Sequence, residues 1–293
     1  MTPQRLLHEL SSSQRLNFLL TNRIPRRWAT LFIGRFSRIR HPLVRRPSIA
    51  VWQLFAGDLR LDEALQSRFA SMQDCFIREL KPGARPIDAN PEVMVSPCDG
   101  IVGAHGAISG TRVFQAKGFP YALEDLLGDA ETAERYRDGV FVTLRLKANM
   151  YHRFHAPDGC RLNAITYISG DTWNVNPIAL ARVERLYCRN ERAAFSLDLA
   201  CSARPVMLVA VAAILVASIR IRGFDATLGL TYRGPNRLHC AQAFERGQEM
   251  GYFQQGSTIV VIAPAGFALA DTIQPGHTMR MGQSLLTKPR SPT

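Results

Sequence analysis

The chain has 293 residues, a hydrophobic fraction of 46% and a formal net charge of +12. That length accommodates one large domain or a domain with an appendage, and the apolar content excludes a disordered chain. Residues 1–46 carry ten arginines and one acid, Glu9, hence nine of the twelve net charges; such an arm suits a polyanion, and the near-neutral remainder argues against a nucleic-acid-binding β domain and for an anionic membrane.

The six cysteines are Cys75, Cys98, Cys160, Cys188, Cys201 and Cys240. They form no Cys-x-x-Cys pair and no zinc spacing, which points to reduced thiols in a reducing compartment. No signal-peptide pattern opens the chain. The longest apolar run, residues 206–219, falls short of the roughly 20 residues that span a bilayer. It reads as a buried strand, or as two strands with a bend.

Residues 1–80 read as helical. Thr2-Pro3 has the form of an N-cap followed by proline at the first helical position. Pro25 opens a second helix, in which Trp28, Leu31, Phe32, Phe36 and Ile39 recur on one face. Arg27, Arg35 and Arg38 flank that face, and their stems can lie along apolar surface with the charge in water. The pattern fits a helix lying in the membrane interface; a core-facing helix is the alternative, and the shortage of acids favours the membrane. A third helix is expected over residues 61–80. Lys81-Pro82-Gly83-Ala84-Arg85-Pro86 then marks a linker or domain boundary.

Beyond it come short β-prone runs at residues 93–95, 141–146, 164–168, 194–199, 206–219 and 259–262, punctuated by Gly, Pro, Asn and Asp. Residues 123–127 and 178–186 are the helical candidates. The expected fold class is α+β: a helical, membrane-associated region at 1–80, followed by a β-rich domain at 81–293 that carries the chemistry.

The bond Gly256-Ser257 lies just before the 259–262 run. Gly-Ser pairs are common turn formers. Glycine also opens backbone conformations closed to residues with a Cβ, and a serine hydroxyl there can attack the preceding carbonyl once a base activates it. Three segments offer partners. Ser96-Pro97-Cys98-Asp99-Gly100 presents Asp99 in an Asp-Gly turn, whose ordinary role is structural. Tyr151-His152-Arg153-Phe154-His155 holds two of the seven histidines, and histidine is the usual general base near neutral pH. A His-x-x-His pair can also bind metal, but no Cys or carboxylate pattern completes such a site, so no metal is expected. Leu186-Tyr187-Cys188-Arg189-Asn190-Glu191-Arg192 is a charged cluster that reads as a salt-bridged turn. Asp, His and Ser are the parts of a hydroxyl-activating triad. No Gly-x-Ser-x-Gly elbow is present, so a lipase or esterase arrangement is unsupported.

Seven motifs occur in order: the 76–87 segment Phe-Ile-Arg-Glu-Leu-Lys-Pro-Gly-Ala-Arg-Pro-Ile, Ser96-Pro97-Cys98-Asp99-Gly100, Gln115-Ala116-Lys117-Gly118, Tyr151-His152-Arg153-Phe154-His155, Arg189-Asn190-Glu191-Arg192, Gly247-Gln248-Glu249-Met250-Gly251 and Gly256-Ser257-Thr258. Together they resemble the bacterial phosphatidylserine decarboxylase proenzymes over residues 75–265. The basic helical arm is similar to that family's membrane-associated region. The resemblance implies self-cleavage between Gly256 and Ser257, giving a large β chain and a small α chain that begins with a covalent pyruvoyl group derived from Ser257. It implies a processing triad of Asp99, His155 and Ser257, and a decarboxylation-step histidine at His152. It further implies phosphatidylserine as substrate, a homodimer of processed α/β units, and a peripheral place on the cytoplasmic side of the cell membrane. A pyruvoyl ketone takes up the substrate amine and accepts the electrons left when carbon dioxide departs, as a PLP ring would. Gln255 replaces the family's usual leucine before the Gly-Ser bond, and Cys98 stands where relatives often carry alanine or valine. Both are expected to matter little.

Three other readings have sequence arguments against them. A biotinyl- or lipoyl-like carrier needs an exposed lysine at a hairpin tip, and no convincing equivalent is present. A nucleic-acid-binding protein would show clustered Lys and aromatics in its β domain. A pyruvoyl decarboxylase of a soluble amino acid would have no use for a membrane arm.

Overall fold

In the computed structural model, residues 18–19, 21–115, 119–215, 218–224, 227–254 and 257–289 are described. Thr2-Pro3, residues 116–118, Gln255 and Gly256 lie outside them. The centre of the molecule follows from one segment, Ser257–Ala263, with sequence Ser-Thr-Ile-Val-Val-Ile-Ala. It is β-branched along most of its length and all seven residues are buried. Such a strand needs neighbours on both edges and apolar cover on both faces. It has both. It pairs antiparallel with Val140–Leu146 on one side and Pro205–Ala212 on the other. Ile259 and Val261 face one core cluster, Val260 and Ile262 the other.

The full sheet has eight antiparallel strands, in the order Arg237–Phe244, Cys160–Ile168, Arg192–Leu199, Pro205–Ala212, Ser257–Ala263, Val140–Leu146, Gly100–Ala107 and Thr278–Met279. A second sheet of four strands runs Thr227–Gly229, Ser218–Ile221, Glu249–Phe253 and Arg153–His155. The two sheets meet over Phe154, which contacts Phe195 of the large sheet and Phe253 of the small one at ring-centroid distances of 5.3 and 5.5 Å. The fold is therefore α+β and mostly sheet. The apolar run at 206–219 divides into two strands, Pro205–Ala212 and Ser218–Ile221, as its length suggested.

The helices are short, apart from Arg26–Phe36 and Pro42–Ala56. Pro25 is the N-cap of the first. The second carries Pro42 in its first turn and Pro47 in its interior; the interior proline hides it from a reading based on helix breakers. The helix expected over residues 61–80 is not formed. A 3-10 turn at Leu61–Glu63 and a short helix at Met72–Phe76 replace it. Ala64 bridges back to Leu80, and the Ser71 side chain caps the new helix by accepting from Asp74 N at 3.1 Å, which starts a fresh helix in mid-segment. The helical candidate at 178–186 is likewise two short helices, Pro177–Leu180 and Leu186–Arg189.

The Arg26–Phe36 helix docks on the β structure with polar contacts. Arg26 pairs with Asp171 and lies 3.8 Å over the Trp173 ring. Thr30 Oγ1 accepts from Leu215 N at 3.0 Å, and Arg38, just past the helix, donates to Gln254 Oε1 at 3.3 Å. Its other face is open, with Trp28 77% and Phe32 65% exposed, and Leu43, Leu54 and Phe55 of the next helix are exposed as well. Among the described residues no helix is long and apolar enough to cross a membrane.

Candidate active site

Ser257 is the first residue of the central strand, opposite Leu146 and Ala212. It is fully buried, and among the described residues its hydroxyl has no hydrogen-bond partner. A buried hydroxyl left unpaired is costly; Thr143, Thr172 and the adjacent Thr258 share that state, so it is the place of Ser257 after the Gly-Ser bond that sets it apart. Its neighbour strand is held from behind by the Arg189–Arg192 motif. Asn190 Nδ2 donates to Ala212 O at 2.9 Å, and Ala212 N donates to Glu191 O at 2.8 Å. The salt-bridged turn expected there is instead a buried clasp: Arg192 donates to the carbonyls of Asp125, Leu126, Cys188 and Asn190.

His155 ends the Arg153–His155 strand and lies opposite Glu249. Its Nδ1 is 2.9 Å from Gly247 O and its Nε2 is 3.0 Å from Tyr151 Oη. A carbonyl can only accept, so Nδ1 carries the proton and Nε2 presents a lone pair to the tyrosine hydroxyl. Burial pushes the imidazole below its usual value; the Gly247 carbonyl and the charges of Glu249 and Asp99 act the other way, and Arg153 adds to the lowering. Gly247 has φ +77°, and a Cβ there would stand 2.2 Å from Ile87 Cδ1, so the turn that aims this carbonyl requires glycine.

Asp99 follows the turn that precedes the Gly100–Ala107 strand. His155 N donates to Pro97 O in that turn at 2.8 Å, so the two motifs are clamped together through the backbone. The Asp99 carboxylate itself goes to Arg85: Nε to Oδ1 at 2.8 Å and Nη2 to Oδ2 at 2.6 Å. Met281 N also donates to Oδ1 at 2.9 Å. Among the described residues no hydrogen bond joins Asp99 to His155, or His155 to Ser257.

His152 is separate from this group. Its Nδ1 donates to Met150 O at 2.8 Å, and its ring packs on Phe76 at 4.0 Å between centroids. Its Nε2 is buried and unpaired, like Ser257 Oγ. Burial pushes its pKa down to about 3, with the Met150 carbonyl opposing and Arg78 adding to the fall. Phe253 N donates to His152 O at 3.0 Å, four residues before Ser257. Arg78 fixes the turn beneath, with Nη2 on Leu59 O at 2.7 Å and on Asn149 O at 3.0 Å.

Two clefts open here. One of about 390 Å³ is lined by Glu79, Lys81, Arg85, Tyr151, His155 and Glu249. Another of about 190 Å³ reaches Arg78, Arg85, Asp99, Met150 and Tyr151. Tyr151 and Arg85 line both. Neither stood out in the sequence as a functional residue: Tyr151 read as the first letter of a histidine motif, and Arg85 as part of a linker. The signal available for Arg85 was its arginine identity between two prolines, where a solvated linker has no need of a guanidinium.

The model of the family described as "Phosphatidylserine decarboxylase" matches residues 72–287. A protein of Marinobacter nauticus named phosphatidylserine decarboxylase proenzyme is 39% identical over 222 residues, covering 73% of this chain and 77% of the relative. Proteins of the same name from Shewanella amazonensis and Vibrio cholerae are 35% and 34% identical, each match covering 89% of this chain and 94% of the relative. The match takes in Asp99, His152, His155 and Ser257 together with the sheets that place them, and the chain belongs to the phosphatidylserine decarboxylase family.

Proposed function

We propose that this chain cuts itself between Gly256 and Ser257 and then decarboxylates phosphatidylserine to phosphatidylethanolamine and carbon dioxide. The observation that carries the reading is the family match over residues 72–287, which takes in the Gly256-Ser257 bond; the buried, unpaired Ser257 Oγ and His152 Nε2 agree with it. In the cut, Ser257 Oγ attacks the Gly256 carbonyl carbon, the peptide C–N bond breaks and an ester joins the two halves. Elimination across Cα–Cβ of residue 257 releases Gly256 as a carboxylate. Addition of water and loss of ammonia leave a carbonyl on the new N-terminus. His155, neutral at Nε2, is the base for these proton removals, with Asp99 supplying negative charge nearby.

The covalent pyruvoyl group so formed at residue 257 supplies an electrophilic ketone for the substrate amine and an electron sink for decarboxylation. The site suits it: residue 257 is sealed from water at the start of a fully buried strand, with both backbone edges paired. Around it, His152 Nε2 takes up a proton from the substrate ammonium and delivers it to the carbon that has lost carbon dioxide, with the Phe76 ring packed against the imidazole. The cleft lined by Lys81, Tyr151 and His155 admits the polar headgroup.

The region 1–80 is the membrane-associated part and 81–293 the catalytic domain, joined where Glu63 and Arg78 reach across. The exposed side chains of Trp28, Phe32, Leu43, Leu54 and Phe55, with arginines around them, lie on the anionic cytoplasmic surface of the cell membrane as a peripheral attachment. Two processed α/β units form a homodimer. The test is to resolve purified protein on a denaturing gel, determine fragment masses, and measure carbon dioxide release from phosphatidylserine vesicles. Two fragments with a blocked residue 257, and release that is lost in Ser257→Ala, are expected. An uncut, inactive wild type would sink the reading.

A further inference from the structure

Arg85 is 8% exposed and lies between two carboxylates. Nε and Nη2 grip both oxygens of Asp99, and Nη2 also reaches Glu63 Oε2 at 2.8 Å. Nη1 donates to its own neighbour, Ala84 O, at 2.7 Å. The guanidinium is therefore fixed on all sides. Burial works against its charge, but the hydrogen bonds and charges of Asp99 and Glu63 outweigh burial and hold its pKa above the usual value. A bidentate pair of this kind sets the plane and rotation of the carboxylate, which a lysine cannot do.

The other anchor of Asp99 is Met281 N. Met281 belongs to the segment after residue 257, so in the cut protein this bond would tie the small chain to the large one. Asp99 is thus held by three parts of the molecule: Arg85 directly, Glu63 of the helical region through Arg85, and the C-terminal segment through Met281. The orientation of its charge toward His155 is set by these contacts and not by the imidazole.

We infer that Arg85 is a positioning residue for self-cleavage, acting through Asp99, with Glu63 as its second anchor. The inference rests on the proposed roles of Asp99, His155 and Ser257. The guanidinium holds the Asp99 carboxylate in one plane and rotation while His155 Nδ1 is left to the Gly247 carbonyl.

The experiment follows the rate of fragment appearance in freshly translated full-length protein, with urea unfolding midpoints measured in parallel on the Ser257→Ala background. Arg85→Gln should slow cleavage by about 100-fold, the scale on which a displaced catalytic group costs rate. Arg85→Lys, which keeps the charge and loses the fork, should fall between Arg85→Gln and wild type. Glu63→Gln should slow cleavage less than Arg85→Gln. In an Asp99→Asn background, Arg85→Gln should add no further loss, because the two act as a unit. Losses that multiply, or an Arg85→Lys rate equal to that of Arg85→Gln and explained by an equal fall in unfolding midpoint, would make Arg85 merely structural and overturn the inference. A wild type that never cuts overturns the underlying reading and the inference with it, whereas multiplying losses in a protein that cuts overturn the inference alone.

Discussion

The Tyr151 hydroxyl occupies the one nitrogen of His155 that can act as a base, at 3.0 Å. With Nδ1 spent on Gly247 O, His155 can take a proton from Ser257 only by exchanging that partner or by passing the proton through it. A donor on Nε2 also stabilises the neutral ring. Tyr151→Phe removes the donor and leaves the packing nearly intact, since among the described residues the hydroxyl has no other hydrogen-bond partner. The sign follows: losing a bond to the neutral form raises the pKa of His155. With His155 as the proposed base, cleavage should rise with pH and level off above that pKa, so the acid limb of the rate should move to higher pH in the variant. Timed gels across the acid range read this directly; an unmoved limb means that Tyr151 does not touch the active base.

The two histidines should separate. His155→Ala removes the proposed base and should leave one uncut chain. His152→Ala should cut normally and lose decarboxylation by about 100-fold or more, the usual scale for a general acid–base group. Burial lowers His152 to about 3, so its imidazole is neutral near neutral pH. No acid limb above that value should come from its ionisation in the resting protein. Fragment analysis and carbon dioxide release, measured on the same samples, check both claims.

Gly251 tests the frame that carries His155. A Cβ there would lie 2.3 Å from Arg220 O and 2.7 Å from Phe154 Cζ. The first contact is backbone of the paired strand and cannot swing aside. Gly251→Ala should therefore destabilise the fold by about 1–3 kcal/mol, as overpacking does. Since Gly251 pairs with Phe154, next to His155, cleavage should slow as well. Urea midpoints on the uncut Ser257→Ala background give the first number; an unchanged midpoint would show that the strands part freely there.

Much of this fold could be read from local pattern. The strand at 259–262 declared itself by β-branching, and the Asp-Gly turn, the histidine motif and the Gly-Ser bond by residue type. What escaped was set by distant partners. Arg85 looks like linker because its two carboxylates are 14 and 22 residues away in opposite directions. The 61–80 segment looks helical because the bridge from Ala64 to Leu80 has no sequence signature. The acceptor of His155 is a backbone carbonyl, Gly247 O, which residue identity cannot announce. Tyr151 and Arg85 became visible only as neighbours of the groups they hold.

The arm divides into a face that grips the protein and a face that is free, and this allows membrane binding to be tested without undocking the helix. Deleting residues 1–46 would take away Arg26 and its pair with Asp171, Thr30 and its bond to Leu215, and Arg38 with its reach to Gln254, two residues from Gly256. A change in cleavage after such a deletion would be uninterpretable as a membrane effect. Trp28→Ser with Phe32→Ser alters only exposed side chains, 77% and 65% open. Cosedimentation with anionic vesicles should fall sharply in that variant, while fragment appearance in solution should match wild type. Replacing Arg27 and Arg35 by Gln should weaken binding to anionic vesicles by about 1 kcal/mol per residue at low salt, with little effect on neutral ones. Raising salt should erase the arginine contribution and spare the aromatic one, because screening acts on charge and not on apolar insertion. Equal sedimentation of wild type and the Trp28/Phe32 variant would move the lipid contact off this helix and toward the rim of the cleft that holds Lys81 and Tyr151.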